Sequence, residues 1–389
     1  MASAESSTEA FLQGQGIPVD LREIESQLQQ LWGPAAERVG GPETEHPNVT
    51  RVSLANLLVE RLAADVESLR PVVEQVLSKY PCRAIVIRGT NAPEKRITAE
   101  VSALCHLPDP GMPQVCSECI VLNAGPNATD LIAGAVRPLL EADLPLVLWW
   151  TTDPRDNEAL FRDLGDECSR ILIDLPDPGT SLESLELGLD PAICSCSRDV
   201  EWYGLTRWRE VIAQFFDPPC HHETLARIDS LQIQVETPEP SRPPRLAIWM
   251  AAWFAGQLGW KPRGTPSRDC SPDGCVFQAD LDGPAGSVRV EIVTHPVGNG
   301  LPARPAIRGV TLTAQGKEGP ERFRACRCSP GSDDICIDAR SPDYCKLPRT
   351  VRSPELPDSD RIAAAFHASR IDPPFDNARP IALWLLKYA

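Results

Sequence analysis

Three cysteines and a histidine fall close enough along the chain to share chemistry: Cys105-His106 and Cys116-Ser117-Glu118-Cys119. The C-x-x-C spacing of Cys116 and Cys119 suits a small disulfide or a pair of thiolates held out to a metal. Adding Cys105 and His106 gives C-H-x9-C-x2-C, enough ligands for a tetrahedral zinc if the loop Pro108 to Pro113 brings the halves together. Against that, a single C-x2-C joined to an adjacent Cys-His matches no standard zinc spacing. Redox catalysis would need the first thiol at a helix N-terminus, where the partial positive charge favours thiolate. The residues after Cys116 read as strand, so core thiols, a regulatory disulfide and a zinc site all stay open.

Other thiols cluster as Cys194-Ser195-Cys196, Cys220-His221-His222 and Cys326-Arg327-Cys328. Residues i and i+2 of a strand share a face, so Cys326 and Cys328 can approach each other. Cys270 and Cys275 flank a Pro-Asp-Gly turn and are better placed for a bridge. Aromatic side chains point to a different chemistry, that of binding. Trp149 and Trp150 end an apolar run, and Trp202, Tyr203, Trp208, Arg209, Phe215 and Phe216 crowd one segment. Trp, Tyr and Arg dominate interface hot spots because they desolvate large areas with few rotatable bonds. Trp149, Trp150, Trp202, Tyr203, Trp208 and Arg209 are therefore the expected partner-binding residues, with the packed core as the competing assignment. No G-x-S-x-G, P-loop, G-x-G-x-x-G or H-E-x-x-H occurs, and no catalytic residues, cofactor or metal are expected.

The elements that must position these groups are bounded first by bulk. A chain of 389 residues exceeds one ordinary core and suits two domains. The formal charge of -16 repels phosphate backbones and acidic lipid, so neither nucleic acid nor a membrane surface is an expected partner. No apolar run approaches the roughly 20 residues that span a bilayer. The start Met1-Ala2-Ser3-Ala4-Glu5 lacks the basic and apolar regions of a secretory signal, which predicts a cytoplasmic protein. The 14 cysteines are too sparse for a secreted disulfide scaffold.

Residues 1–17 read as a mobile tail. Leu21, Ile24, Leu28 and Leu31 then lay one apolar stripe on a helix that Gly33-Pro34 should stop, followed by a loop to Asn48. A strand near Val52 to Val59, a helix from Arg61 to Lys79, and strand-like runs at Cys82 to Arg88, Ile97 to Cys105, Cys119 to Leu122, Leu144 to Trp150 and Arg170 to Leu175 alternate with helical patterns. That alternation predicts an α/β domain over 50–237: a mixed, mainly parallel sheet with helices on both faces. Ile228 to Val235 should be its last strand. Residues 238–244 read as a Pro-rich linker. Residues 245–389 should form a smaller α+β domain with an antiparallel sheet, opened by an Ala- and Trp-rich helix from Arg245 to Leu258.

Five segments then form a co-linear set: Thr50-Arg51, Tyr80-Pro81-Cys82-Arg83-Ala84-Ile85, Val115-Cys116-Ser117-Glu118-Cys119-Ile120, Asp143-Leu144-Pro145-Leu146-Val147-Leu148-Trp149-Trp150, and Leu205-Thr206-Arg207-Trp208-Arg209-Glu210. In order and spacing the set resembles the glucose-6-phosphate dehydrogenase assembly protein family OpcA over roughly residues 50–260, with Gly259-Trp260 matching the start of that family's C-terminal domain. The resemblance implies a non-catalytic assembly factor or allosteric activator whose partner is glucose-6-phosphate dehydrogenase, serving the oxidative pentose phosphate pathway. It also implies thiol redox control, with thioredoxin as a second partner; by their own spacing Cys116, Cys119, Cys270 and Cys275 are the candidate thiols. Cys119 and Cys82 stand where the family commonly has a glutamine-like residue and a small hydroxyl residue. The rival class is a thiol- or zinc-dependent enzyme using Cys105, His106, Cys116 and Cys119.

Overall fold

The computed structural model describes residues 10–37, 49–63, 70–106, 114–176, 180–297, 304–316, 319–329, 331–341 and 344–389. The expected loop 108–113 and most of the expected loop before Asn48 lie outside these residues. The chain divides into two compact units: Met1–Pro176, Leu187–Val200 and Pro357–Arg370 form the first, and Asp177–Glu186, Glu201–Leu356 and Ile371–Ala389 the second. No described helix is long and apolar enough to cross a membrane.

The first unit holds strands β1 (Ile17–Val19), β2 (Val49–Arg51), β3 (Asn56–Arg61), β4 (Arg83–Gly89), β5 (Ile97–His106), β6 (Gln114–Ala124), β7 (Leu146–Trp150), β8 (Arg170–Ile173) and β9 (Ser197–Asp199) in one sheet of order β1-β5-β6-β4-β3-β7-β8-β9, with β2 beside β6. From β6 to β9 every pairing is parallel, and β5 and β1 extend the edge antiparallel. Counted in chain order, β6-β4-β3-β7-β8-β9 reads 3-2-1-4-5-6, the doubly wound order of dinucleotide-binding sheets. The reason is legible in the residues. Leu57, Leu58 and Val59 of β3, and all five residues of β7, are buried although successive side chains point to opposite faces. Only a sheet covered on both faces takes such runs.

The second unit holds β10 (Ile228–Thr237), β11 (Lys261–Ser271), β12 (Gly274–Gly283), β13 (Gly286–Pro296), β14 (Ala306–Gln315), β15 (Pro320–Arg327), β16 (Asp334–Ser341) and β17 (Tyr344–Arg352), ordered β11-β12-β13-β10-β14-β15-β16-β17. All pairs are antiparallel except β10 with β13. In β10, Leu231, Ile233 and Val235 are buried while Gln232, Gln234 and Glu236 are half-buried, the alternation of a sheet with one core face. The helix Arg245–Leu258 packs on Pro373–Leu386 so closely that a Cβ on Gly256 would sit 2.8 Å from the Ala378 nitrogen. Gly259, at φ 68°, ends it in the left-handed conformation, and the Trp260 amide donates back to the Ala255 carbonyl at 2.9 Å.

Several expectations are corrected. The strand expected at Ile228 to Val235 to close the first sheet is β10, a central strand of the second, pairing with β13 and β14. Residues 238–244 accordingly join β10 to the following helix inside the second unit. Gly33-Pro34 does not stop its helix, which runs Ile24–Glu37. The stretch 10–17 is no free tail: Phe11 is buried edge-on against Trp32, ring centroids 5.1 Å apart. Arg61 lies in β3, and the helix after it is described from Arg70 to Lys79.

Candidate functional site

Four of the five segments that carry the family resemblance meet at the amino ends of the parallel strands; the fifth, 205–210, belongs to the second unit. Arg83 opens β4, and Glu118 lies one step before the Cys119–Ala84 register pair of β6 and β4. Arg83 and Glu118 have side chains 3% and 2% exposed and form a two-point ion pair, Nε to Oε2 at 2.9 Å and Nη2 to Oε2 at 2.7 Å. Nη1 donates to Glu25 at 2.6 Å and to the Leu139 carbonyl at 2.8 Å, and Nη2 also pairs with Glu141 at 3.0 Å. Arg51, at the end of β2, pairs with Glu118 at 3.0 Å and with Glu141 at 2.7 Å, and Trp32 Nε1 donates to Glu118 at 2.6 Å. Burial works to lower the Arg83 pKa, but its bonds to Glu25 and Glu118 outweigh it and hold the group above the usual arginine value. Asn56, opening β3, binds the Glu141 amide at 2.8 Å and the Glu141 and Leu144 carbonyls at 3.0 and 3.3 Å. It thereby clamps the turn in which Asp143 adopts φ 67°.

The opposite, carboxyl end of the sheet is where ligands bind in doubly wound folds, between the two strands at which the winding reverses. Here those strands are β3 and β7. At that point lies Glu60, fully buried, whose carboxylate accepts from the amides of Leu62 at 2.7 Å and of Thr151 and Thr152 at 3.1 Å each. The Thr151 hydroxyl donates to the Glu60 carbonyl at 2.8 Å. Burial raises the Glu60 pKa and the amides counteract only part of that. Gly89 at the end of β4 closes on the same place: a Cβ there would lie 1.9 Å from the Leu62 carbonyl oxygen. The Leu62, Thr151 and Thr152 amides at this crevice are thus taken by the chain's own carboxylate, and the chain leaves β3 as Arg61-Leu62-Ala63, without the glycines a phosphate cradle needs. Sequence reasoning missed Glu60, although a lone acid inside the apolar run Leu57 to Leu62 is its visible signal.

The expected thiol cluster is rearranged. Cys116 bonds to Cys105, directly opposite it in the β5–β6 ladder, with Cα atoms 4.1 Å apart. Cys119, three residues on, takes the other face, where it is a buried cysteine near Cys82 and no partner to Cys116. The C-x-x-C pair therefore does not converge, and neither do Cys105, His106, Cys116 and Cys119 as a ligand set. Among the described residues no group of three or more His, Cys, Asp or Glu is arranged to hold a metal ion. Cys105 and His106 line a groove of about 580 Å³ with Gln13, Glu74 and Ser78, and burial lowers the His106 pKa. Cys270 and Cys275 do come together, paired across the β11–β12 turn with Cα atoms 3.9 Å apart. Cys326 and Cys328 do not join each other; Cys328 bonds to Cys336.

The aromatic residues expected at a docking surface are core residues. Trp149, Trp150 and Trp202 are at most 1% exposed, and Tyr203 and Trp208 are also buried. Because both faces of the first sheet are covered, the alternation of Trp149 and Trp150 takes neither ring to the surface. Trp149 Nε1 donates to Asp174 at 3.2 Å, and Trp150 meets Phe161 edge-on. Trp202 lies edge-on against Trp249 and Phe375, donates Nε1 to Asp372 at 3.0 Å, and carries the Arg209 guanidinium 3.8 Å from its ring centroid. Burial pushes the Arg209 pKa down to about 10. The second unit also has a charged cavity of about 200 Å³, lined by Glu236, Arg304, Arg308, Arg327, Asp333 and Glu355 among others. Burial raises the Glu355 pKa, and Glu236 and Asp333 add to the rise against the pull of Arg327.

Two consecutive stretches match the two halves of the family described as a glucose-6-phosphate dehydrogenase subunit: residues 73–186 its N-terminal domain, and residues 196–379 its C-terminal domain. Among curated proteins the chain is similar to relatives provisionally named OxPP cycle protein OpcA. That of Synechococcus elongatus is 28% identical over 191 residues, 48% of this chain and 42% of the relative. That of Nostoc punctiforme is 28% identical over 208 residues, 52% of this chain and 43% of the relative. That of Synechocystis is 26% identical over 225 residues, 57% of this chain and 46% of the relative. The matched stretch is less than half the length of each relative. Among solved structures the chain is similar to a provisionally named oxidoreductase from Erwinia carotovora atroseptica, at 13% identity over 86% of this chain and 98% of that one, with a TM-score of 0.47. It is also similar to biliverdin reductase from Synechocystis, at 8% identity over 86% of this chain and 96% of that one, with a TM-score of 0.44.

Proposed function

This chain belongs to the OpcA family of glucose-6-phosphate dehydrogenase subunits, and from that premise we propose that it is a non-catalytic assembly factor or allosteric activator that docks on glucose-6-phosphate dehydrogenase in the cytoplasm. Its place is then the OxPP cycle named for its relatives. One observation carries the reading: both domain descriptions of the family match consecutive stretches of this one chain. Two features of the site support it. The crevice where a doubly wound sheet would hold a nucleotide is occupied by the Glu60 carboxylate, and Arg51, Arg83 and Glu118 of the segments that carry the family resemblance are spent on a buried ion network that fixes shape. An activator of this kind works by binding the active conformation of its partner more tightly than the inactive one, about 1.4 kcal/mol of difference for each tenfold shift.

The same reading takes thiol control as its regulation, with the Cys105–Cys116 pair beside an open groove as the point of attack for a dithiol reductant of the thioredoxin kind. The test is to purify the full chain with its cognate dehydrogenase. Co-elution, and a rise of at least severalfold in dehydrogenase activity or a matching fall in KM, are expected, with no turnover by the chain alone. Failure to co-elute together with unchanged kinetics would overturn the reading. Repeating the assay after reduction and after oxidation tests the thiol step: equal activation in both states removes it and leaves docking intact.

A further inference from the structure

β15 and β16 run antiparallel, and their register sets Cys326 directly opposite Cys336. Residues opposed in this way share a face, with Cβ atoms about 4.5–5.5 Å apart. Cys328, two residues beyond Cys326, returns to that same face. The disulfide, however, joins Cys336 to Cys328, with Cα atoms 5.4 Å apart, and leaves Cys326 as a half-buried free thiol. One sulfur, that of Cys336, is therefore bonded to one neighbour and faced by another.

From this juxtaposition we propose that Cys326, Cys328 and Cys336 form an internal thiol–disulfide exchange site. The Cys326 thiol loses its proton to solvent, and its sulfur attacks Sγ of Cys336. The Cys328–Cys336 bond breaks, its electron pair leaves on Cys328, and that exposed sulfur takes a proton from water. One disulfide and one thiol exist before and after, so no oxidant or reductant is consumed. What changes is position: the cross-link moves two residues along β15, from its end into the ladder. Residues Gly331, Ser332 and Asp333, inside the loop that the Cys328 cross-link closes, belong to the wall of the charged cavity that Arg327 and Glu355 also line. The last backbone bond before that loop, Cys328 amide to Asp334 carbonyl at 3.0 Å, loses its covalent support when the link moves. Exchange thus couples a chemical step to the wall of that cavity. It does not depend on docking to a dehydrogenase.

The test is disulfide mapping of the full chain, purified without reductant, held at mildly alkaline pH without oxidant, quenched with acid and N-ethylmaleimide, and digested with pepsin. Two cross-linked species are expected, Cys328–Cys336 with Cys326 alkylated and Cys326–Cys336 with Cys328 alkylated. In Cys326→Ser the second species should be lost completely while the first persists. A single linkage at every incubation time, or three alkylated thiols in the folded protein, overturns the proposal. The wild-type mapping decides the matter even if a variant fails to fold.

Discussion

Arg83 and Glu118 are two full charges withdrawn from water, each with only a few per cent of its side chain exposed. Such pairs are costly to bury and more costly to break, because removing one partner strands the other: the loss is about 3–5 kcal/mol. Glu118→Gln should therefore lower unfolding stability in urea by about that amount, and the joint change Arg83→Met with Glu118→Leu by much less. Equal losses in the single and joint variants would show that the network contributes packing and not charge pairing. Glu60 makes the converse case. Its pKa in the folded state stands above the ordinary value of 4.5, because burial raises it by more than the three amides that bond the carboxylate lower it. Between 4.5 and the raised value the folded chain holds a proton that the unfolded chain has released, so stability falls as pH rises through that window and is flat beyond it. Glu60→Gln keeps an acceptor oxygen but cannot titrate, so its stability relative to wild type should climb across the same window. Parallel pH profiles for the two proteins would refute the assignment.

At the scale of elements, what the sequence made legible was whatever depends on local pattern. The β-branched run Ile85-Val86-Ile87, the apolar run ending at Trp149-Trp150 and the helix closed by Gly259 each carry their own signal. What stayed hidden depends on distant partners. Arg51, Glu118 and Glu141 lie on separate segments of the chain, and nothing near any of them announces the others. The edge strand β11 carries little strand signal because Pro262 and Pro266 disrupt its pattern, which an edge tolerates and a central strand does not. Cys116 and Cys119 look like a pair by spacing, yet a strand sends i and i+3 to opposite faces, and Cys105, eleven residues away, is the true partner. Gly89 shows how an element end can be read only in three dimensions: it closes the β3–β4 side of the crevice by backbone contact with Leu62. A Cβ would be driven into a carbonyl oxygen that cannot rotate away, so Gly89→Ala should cost about 1–3 kcal/mol. A thermal melt indistinguishable from wild type would mean that the two strand ends have room to part.

At the scale of the whole molecule, the chain does not finish one unit before starting the other. It passes between them at 176/177, 186/187, 200/201, 356/357 and 370/371, so the first unit receives 187–200 and 357–370 from either side of the second. The first of these returns supplies β9, and the second the helix Asp358–His367, whose Ala365 carbonyl, with that of Ala368 just beyond its end, accepts from the buried guanidinium of Arg170 in β8. The second unit in turn cannot do without β10, which lies between β13 and β14 and makes the only parallel pair of its sheet among the described residues. A cut in the Pro-rich stretch 238–244 follows the sequence pattern but severs both arrangements. It leaves 1–237 with an unpartnered β10 and without the helix that satisfies Arg170, and it leaves 245–389 with β13 and β14 facing an empty place. Each new edge would expose rows of backbone donors and acceptors. Expressed separately, neither fragment should unfold cooperatively in a denaturant titration followed by circular dichroism, whereas the two produced together should recover a single folded species by complementation. Cooperative folding of the isolated 245–389 fragment would show that β10 is dispensable to its sheet.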